Sequence, residues 1–175
     1  MSRIPAISPT EASGKTGELL AGVARALGAT PNLFRVAAQS PAALEGLIAL
    51  NGALQRTALS AKARHAVALA IASYDDCGYC LAAHHALGRA VGLSDGELAS
   101  ARDGGSADPT TAAALHLARA IAASRGHVDD GELARARARL GDREIVEVVA
   151  LVALNVFTNY LNSVARTDLD FPAAP

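Results

Sequence analysis

The segment Tyr74–His85, YDDCGYCLAAHH, holds both cysteines of the 175-residue chain and two of its five histidines. Cys77 and Cys80 form a Cys-x-x-Cys pair. On a helix this spacing places two thiols on one face, close enough to join as a disulfide without unwinding the helix. Such a pair can alternate between dithiol and disulfide, so the spacing predicts thiol-disulfide chemistry.

Two histidines are positioned to serve these thiols. His84 follows Cys80 by four residues, one turn away on the same face, and an imidazole with a pKa near 6.5 is a suitable base for a thiol. His65 lies twelve residues before Cys77, and an antiparallel hairpin that turns just before the cysteines brings it level with His84. The candidate catalytic cluster is therefore Cys77, Cys80, His84 and His65.

Helix geometry distinguishes the two cysteines. Asp75 and Asp76 are good capping residues, so a new helix is predicted to begin at Cys77. The free N–H groups and the positive end of the helix dipole favour a thiolate there, which lowers a pKa of about 8.5. On this argument alone Cys77 is the better nucleophile.

Other interpretations of these residues are open. Two buried thiols can simply be packing groups. A zinc site could use both cysteines, His84 and either His65 or His85, although structural zinc usually joins loops rather than one continuous helix. His85 and His127 are assigned to the surface, and His116 to packing or an interface. No metal and no cofactor are predicted.

Helices must position this cluster. Alanine and leucine dominate, aromatic residues make up only 3% of the chain, and apolar residues recur every three or four positions. The fold class is therefore all-α, with seven or eight helices. Turn-forming residues mark the breaks between them, at 28–31, 39–41, 57–60, 74–76, 92–95, 103–109, 126–130 and 141–142.

Helix starts are marked by Ser or Asp ahead of the runs SPAALEG, LSAKARH, LSDGEL and VDDGEL, as in capping motifs. The chain is long enough for one domain, and no interior segment is polar enough to be a linker. We predict a single domain over residues 1–175 in which residues 1–16 are a loose N-terminal segment. Residues 144–165 resemble residues 63–84 in rhythm, with Tyr160 near the place of Tyr79, but lack the cysteines.

Charge and hydropathy exclude several classes of protein. The formal net charge is -1 without a basic patch, so no nucleic-acid partner is expected. The N-terminal residues have no apolar signal region, and we expect a cytoplasmic protein. The longest apolar run, Ile145–Phe157, is interrupted by Glu147 and Asn155 and is shorter than the ~20 residues of a membrane span. It is predicted to be a buried helix, and no membrane partner is expected.

The run LSAKARHAVALAIASYDDCGYCLAAHHALGRAVGLSDGEL resembles the core of the AhpD-like, or carboxymuconolactone decarboxylase, superfamily. The shared features are a Leu-Ser helix start, an alanine-rich helix, the Cys-x-Tyr-Cys-x-x-x-His motif and GLSDGEL opening the next helix. Residues 31–54 and 147–172 resemble the peroxidase-related branch, so the likeness covers nearly the whole chain from Pro31.

The resemblance implies an all-α fold, assembly into homo-oligomers (dimer, trimer or hexamer) and a thiol-dependent peroxidase or disulfide-reductase activity. In that family the second cysteine attacks and the first resolves, which gives these roles to Cys80 and Cys77 and reverses the assignment from helix geometry. The motif histidine corresponds to His84. His65 stands where the alkylhydroperoxidase pattern has a glutamate, and Tyr79 stands where some members have a histidine.

The leading hypothesis is thus a peroxidase that acts on a peroxide or another small-molecule substrate. An external dithiol, either a lipoyl-type carrier or a thioredoxin-like protein, reduces it. Two alternatives are kept. One is a cofactor-free decarboxylase in which His65 and His84 transfer protons. The other is a non-catalytic helical oligomer that senses redox state through its disulfide.

Overall fold

The computed structural model describes residues 2–174, which form nine helices and no strand. The predicted all-α class is confirmed, while the helix count exceeds seven or eight. Short helices such as the six-residue α2 account for the difference. The helices are α1 (Gly14–Leu27), α2 (Asn32–Ala37), α3 (Pro41–Leu54), α4 (Ala61–Tyr74), α5 (Gly78–Ala90), α6 (Asp95–Arg102), α7 (Pro109–Ser124), α8 (Asp130–Arg137) and α9 (Asp142–Ala165).

The helix boundaries follow the local capping chemistry. Ser40, Ser60 and Asp129 each accept a hydrogen bond from the backbone N–H three residues later, at the starts of α3, α4 and α8. Ser94 and Glu97 form a reciprocal capping box at α6. These contacts satisfy N–H groups that have no partner within the helix. Each predicted break lies between two helices and overlaps a helix by at most one residue.

Helix α4 lies at the centre of the core. Eight of its fourteen residues are buried, and it packs against α5, α6, α7 and α9. Its alanines allow these neighbours to approach on all sides, and a helix that is apolar all round is typical of a buried position. α4 therefore provides a rigid support for His65 and for the turn that leads to the cysteines.

Helix α9 is 24 residues long, which is longer than the helix predicted from the apolar run Ile145–Phe157. Its inner face packs against α3, α4 and α7 through residues such as Val148, Leu151 and Val152. By length and composition it is the one helix in residues 2–174 that could cross a membrane, with a mean hydropathy of 1.5 over its most apolar 18-residue window. Only 39% of that window is buried, so α9 packs on the core along one face, and the prediction of a fully buried helix was wrong.

The segments before α1 and after α9 contact the folded core. The backbone N–H of Arg3 donates to the carbonyl of Ala165, and that of Ile7 donates to Arg35. After α9, Asp170 accepts a hydrogen bond from the N–H of Asn32. Both ends of the described chain are thus bound near the junction of α2 and α9.

Candidate active site

The turn between α4 and α5 carries the first cysteine. Asp76 adopts a left-handed conformation with φ of 52°, and Cys77 is the N-cap residue of α5, which begins at Gly78. The helix thus starts one residue later than predicted. Asn159 on α9 donates from Nδ2 to Oδ2 of Asp75 over 2.8 Å, which fixes the turn to the core.

The two cysteines are joined by a disulfide, with Cα atoms 5.3 Å apart. Both are buried, with Cys77 2% and Cys80 3% exposed. The backbone N–H of Cys80 donates to Sγ of Cys77 over 3.3 Å. Nδ2 of Asn162 on α9 donates to Sγ of Cys80, also over 3.3 Å. Each sulfur therefore faces one N–H group, the feature that stabilises a thiolate once the disulfide is reduced.

The two predicted histidines lie beside each other across α4 and α5. Nδ1 of His65 is 3.3 Å from Nδ1 of His84, and the ring centroids are 5.5 Å apart. Two nitrogens at this distance share one hydrogen, so one ring donates while the other accepts. In the neutral pair, one Nε2 therefore carries a hydrogen and the other has a free lone pair. This is the arrangement of a proton relay.

Burial keeps this pair neutral. It lowers the pKa of His84 from its ordinary 6.5 to about 3, and repulsion from His65 acts in the same direction. The pKa of His65 is also lowered, first by burial and then by the positive charge of Arg64. Both rings are therefore uncharged near neutral pH, and each keeps one nitrogen lone pair that can accept a hydrogen bond.

Close packing of α5 on its neighbours holds the histidine pair. Gly88 lies one turn after His84, and a Cβ built there would approach Leu98 to 2.7 Å and His65 to 3.9 Å. The tight approach is to the side chains of Leu98 on α6 and Leu93, while the distance to His65 is an ordinary contact. Gly88 therefore allows α5 to pack closely on α6, on the side of α5 that faces His65.

Tyr79, between the two cysteines, is held by residues distant in sequence. Its hydroxyl accepts a hydrogen bond from the N–H of Leu33 over 3.2 Å, and Phe171 packs edge-on against its ring. Burial raises the pKa of Tyr79, and Asp170 as a hydrogen-bond acceptor raises it further. The phenol stays protonated, and the C-terminal segment packs directly on the cysteine motif.

The four predicted site residues thus lie on two adjacent helices and form two pairs, the disulfide and the imidazole pair. In residues 2–174 no hydrogen bond links an imidazole to a sulfur, and no group of three or more His, Cys, Asp or Glu side chains is arranged to hold a metal ion. His116 and His127 lie at the surface, where His116 pairs with Glu132 at 3.1 Å.

Sequence reasoning did not identify Asn159 and Asn162. Both are buried, at 0% and 3% exposed, and both donate to the cysteine segment. The available signal was the occurrence of Asn155, Asn159 and Asn162 in an otherwise apolar helix, at a spacing that places all three on one face. Buried amides need hydrogen-bond partners, so this pattern indicates a polar contact inside the core.

A groove of about 570 Å³ lies elsewhere, between α4, α6 and α7. Small residues line most of it, together with Lys62 and Glu97, which form an ion pair over 3.4 Å. Neither the cysteines nor the imidazole pair borders this groove. It is therefore separate from the candidate active site.

Comparison of the sequence with protein families finds one match. Residues 41–124 match the model of the carboxymuconolactone decarboxylase family, a segment that includes both cysteines, His65 and His84. No curated protein is similar enough in sequence to be identified as a relative.

Solved structures with the same fold cover almost the whole chain. An AhpD-core, uncharacterized peroxidase-related protein from Ralstonia eutropha JMP134 aligns with a TM-score of 0.86 and 19% identity, over 97% of this chain and 92% of that one. A peroxidase-related protein from Silicibacter sp. TM1040 gives 0.81 and 20%, over 95% and 89%. A cysteine-to-alanine variant of the debrominase Bmp8, in complex with 2,3,4-tribromopyrrole, gives 0.82 and 17%, over 97% and 92%.

Proposed function

We propose that this chain belongs to the AhpD-like, carboxymuconolactone decarboxylase superfamily and is a thiol-dependent peroxidase that uses Cys80 and Cys77, since residues 41–124 match the family model and the fold matches AhpD-core structures. The observation that carries the proposal is the Cys77–Cys80 disulfide at the N-terminus of α5, on the helix that also bears one member of a neutral imidazole pair. The groups needed for thiol oxidation and proton transfer lie on adjacent helices.

In the first step the imidazole pair takes the proton of the Cys80 thiol. The thiolate then attacks the hydroxyl oxygen of a hydroperoxide, the O–O bond breaks and an S–O bond forms. Cys80 becomes a sulfenic acid, and the leaving alkoxide receives the proton held by the imidazoles. A neutral imidazole has the free lone pair that this transfer needs, and its lowered pKa makes it a weak base that returns the proton readily.

In the second step the Cys77 thiol condenses with the Cys80 sulfenic acid. A disulfide forms and water leaves, which gives the oxidised state present in the structure. An external dithiol then restores both thiols by exchange. The disulfide is buried, which favours a small or extended reductant such as a lipoyl-type carrier over the flat surface of a thioredoxin-like protein.

The experiment that tests this function compares wild-type protein with Cys80→Ser in a peroxide-consumption assay coupled to dihydrolipoamide. We expect the variant to lose turnover, because no sulfur remains to accept the peroxide oxygen. Ser106→Ala, in the separate groove, is the matched control and retains activity. Peroxide turnover by Cys80→Ser equal to that of the control would refute the proposal.

The superfamily name supports a second candidate, a cofactor-free decarboxylase in which His65 and His84 transfer protons. The observation that favours it is the neutral imidazole pair, which is sufficient for acid–base chemistry without the thiols. Alkylation of reduced protein with iodoacetamide separates the two functions. A peroxidase loses activity, whereas a decarboxylase acting through the histidines retains it.

We also propose that the chain forms homo-oligomers through the outer face of α9 and acts in the cytoplasm. Five large apolar residues of α9 lie on this surface, 41–67% exposed: Val146, Val149, Phe157, Tyr160 and Val164. Their spacing forms one apolar stripe along the helix. A contiguous exposed apolar stripe is typical of an association surface, and a second copy of the chain is its proposed occupant.

A further inference from the structure

Asn162 has two polar atoms with different surroundings. The side chain is 3% exposed, and its Nδ2 donates to Sγ of Cys80 over 3.3 Å. Its Oδ1 is buried and, within residues 2–174, has no hydrogen-bond partner. Since a disulfide sulfur carries no hydrogen, Cys80 cannot satisfy this oxygen in the oxidised state.

A buried carbonyl oxygen without a partner costs about 1–3 kcal/mol, so it is unusual in a native core. The cost is removed if a donor arrives in another state of the site. The proposed reaction brings such a donor to Cys80 twice: first the O–H of the hydroperoxide and then the S–O–H of the sulfenic acid. In both cases the hydrogen is on the oxygen that bonds to sulfur.

We propose that Asn162 is a catalytic residue that holds the Cys80 thiolate with its N–H group and the hydroxyl group of the attacked hydroperoxide with its carbonyl oxygen. The inference rests on the proposed peroxidase function and names its substrate class as compounds with a free O–O–H group. No covalent bond to Asn162 forms or breaks. The hydroxyl oxygen moves from the O–O bond to sulfur while its hydrogen stays directed at Oδ1.

The position of Asn162 in the fold supports this role. Asn159, one turn earlier on α9, fixes Asp75 in the turn before Cys77. Asn162 reaches the second cysteine from the same helix face, so α9 holds both ends of the cysteine motif. The two sulfurs therefore differ: Cys77 faces a backbone N–H, and Cys80 faces an amide that can also accept a hydrogen bond.

The chain provides a matched control on the same helix face. Asn155 is buried at 4% exposed, and its Nδ2 donates to the carbonyl of Leu151 within α9. Asn155→Leu therefore makes the same change from amide to apolar side chain as Asn162→Leu, without touching either sulfur. Asn162→Asp is a second variant of nearly the same shape, which replaces the donor with a negative charge.

The first measurement uses no peroxide. Each variant is placed in a Cys77→Ser background, so that Cys80 is the only thiol, and the Cys80 pKa is measured from the rate of iodoacetamide alkylation against pH. We expect Asn162→Leu to raise this pKa by about one unit, and Asn162→Asp to raise it further. Asn155→Leu leaves it unchanged. If the two Asn162 variants match Asn155→Leu, the donor role is refuted.

The second measurement tests the carbonyl oxygen. The same proteins are mixed with hydrogen peroxide at a pH above every measured Cys80 pKa, where all of the thiol is ionised. Asn162→Leu is expected to react about tenfold more slowly than Asn155→Leu, since it lacks the acceptor for the peroxide hydroxyl. Equal rates would refute the acceptor role. Failure of the peroxidase function itself appears separately, as continued turnover by Cys80→Ser.

Discussion

Residues 63–84 and residues 144–165 have a similar rhythm of apolar residues, yet they fold differently. The first segment breaks at Asp75 and Asp76 and becomes the hairpin of α4 and α5. The second continues without interruption as most of α9. The two tyrosines at corresponding positions differ in burial as a result: Tyr79 is 6% exposed and Tyr160 is 58% exposed.

The break creates the site, and the unbroken helix supports it. Ending α4 exposes a new helix N-terminus with Cys77 as its cap and places His65 opposite His84. The intact α9 keeps its amides on one continuous face, from which Asn159 and Asn162 reach the hairpin. One apolar rhythm is thus compatible with two folds, a hairpin that carries the sulfur pair and an unbroken helix that packs on it.

The largest effect is expected from removing the resolving thiol of the hairpin. Cys77→Ser should still react once with peroxide but should not turn over, because the Cys80 sulfenic acid has no partner for a disulfide. Mass spectrometry with a sulfenic-acid probe such as dimedone measures the trapped species. Sustained turnover by Cys77→Ser, at the rate of wild-type protein, would contradict the assigned roles.

The next largest effect concerns stability against pH. By its position, the part-buried His84 corresponds to Ala165 of α9, so only the hairpin carries a base at this point of the pattern. The folded-state pKa of His84 is about 3 and the ordinary value is 6.5, so the unfolded chain binds the proton first as the pH falls. This contribution to stability is complete above pH 6.5 and is lost at about 1.4 kcal/mol per pH unit between roughly pH 6 and pH 3.

The free energy of unfolding of His84→Gln should therefore fall less steeply than that of wild type as the pH is lowered. We expect the two slopes to differ by about 1 kcal/mol per pH unit between pH 6 and pH 4.5. Urea unfolding at several pH values measures the difference. His127→Gln, at the surface, is the control and should keep the wild-type slope. Identical slopes for His84→Gln and the control would show that folding does not lower the pKa of His84.

The outer face of α9 offers a third test, since it has no equivalent in the buried hairpin. Phe157→Glu places a charge in the middle of the apolar stripe and should dissociate an oligomer built on it. Sedimentation velocity measures the change in mass, with exposed Arg143→Glu as the control outside the stripe. A wild-type protein that already sediments as a monomer would contradict self-association.

The smallest effect is expected at the break itself. Asp76 has a φ of 52°, which glycine adopts without strain, so Asp76→Gly should stabilise the protein by about 0.5–1 kcal/mol. Asp75→Gly is the matched control, because Asp75 has a negative φ and its carboxylate holds Asn159. Asp75→Gly should lower the stability of the protein. Thermal unfolding that places both variants on the same side of wild type would contradict this account of the turn.

Much of the fold could be predicted because its signals are local. Ser60 and Ser94 mark helix starts through contacts with the next three residues, and the predicted breaks all separate helices. The Cys-x-x-Cys spacing likewise fixes the distance between Cys77 and Cys80 on one turn. Helix α9 was less predictable, because its length depends on packing on α4 and α7 and its outer face cannot be told from its inner face by periodicity alone.

The sequence by itself determined the all-α class, most of the helix starts and the pairing of two thiols, since each depends on residues within one or two helical turns. Only the tertiary structure decided that Asn162 donates to Cys80 across 82 positions, that His65 contacts His84, and that both imidazoles are neutral. Hydrogen bonds and pKa values depend on which groups share a buried space, and that depends on how distant helices pack together.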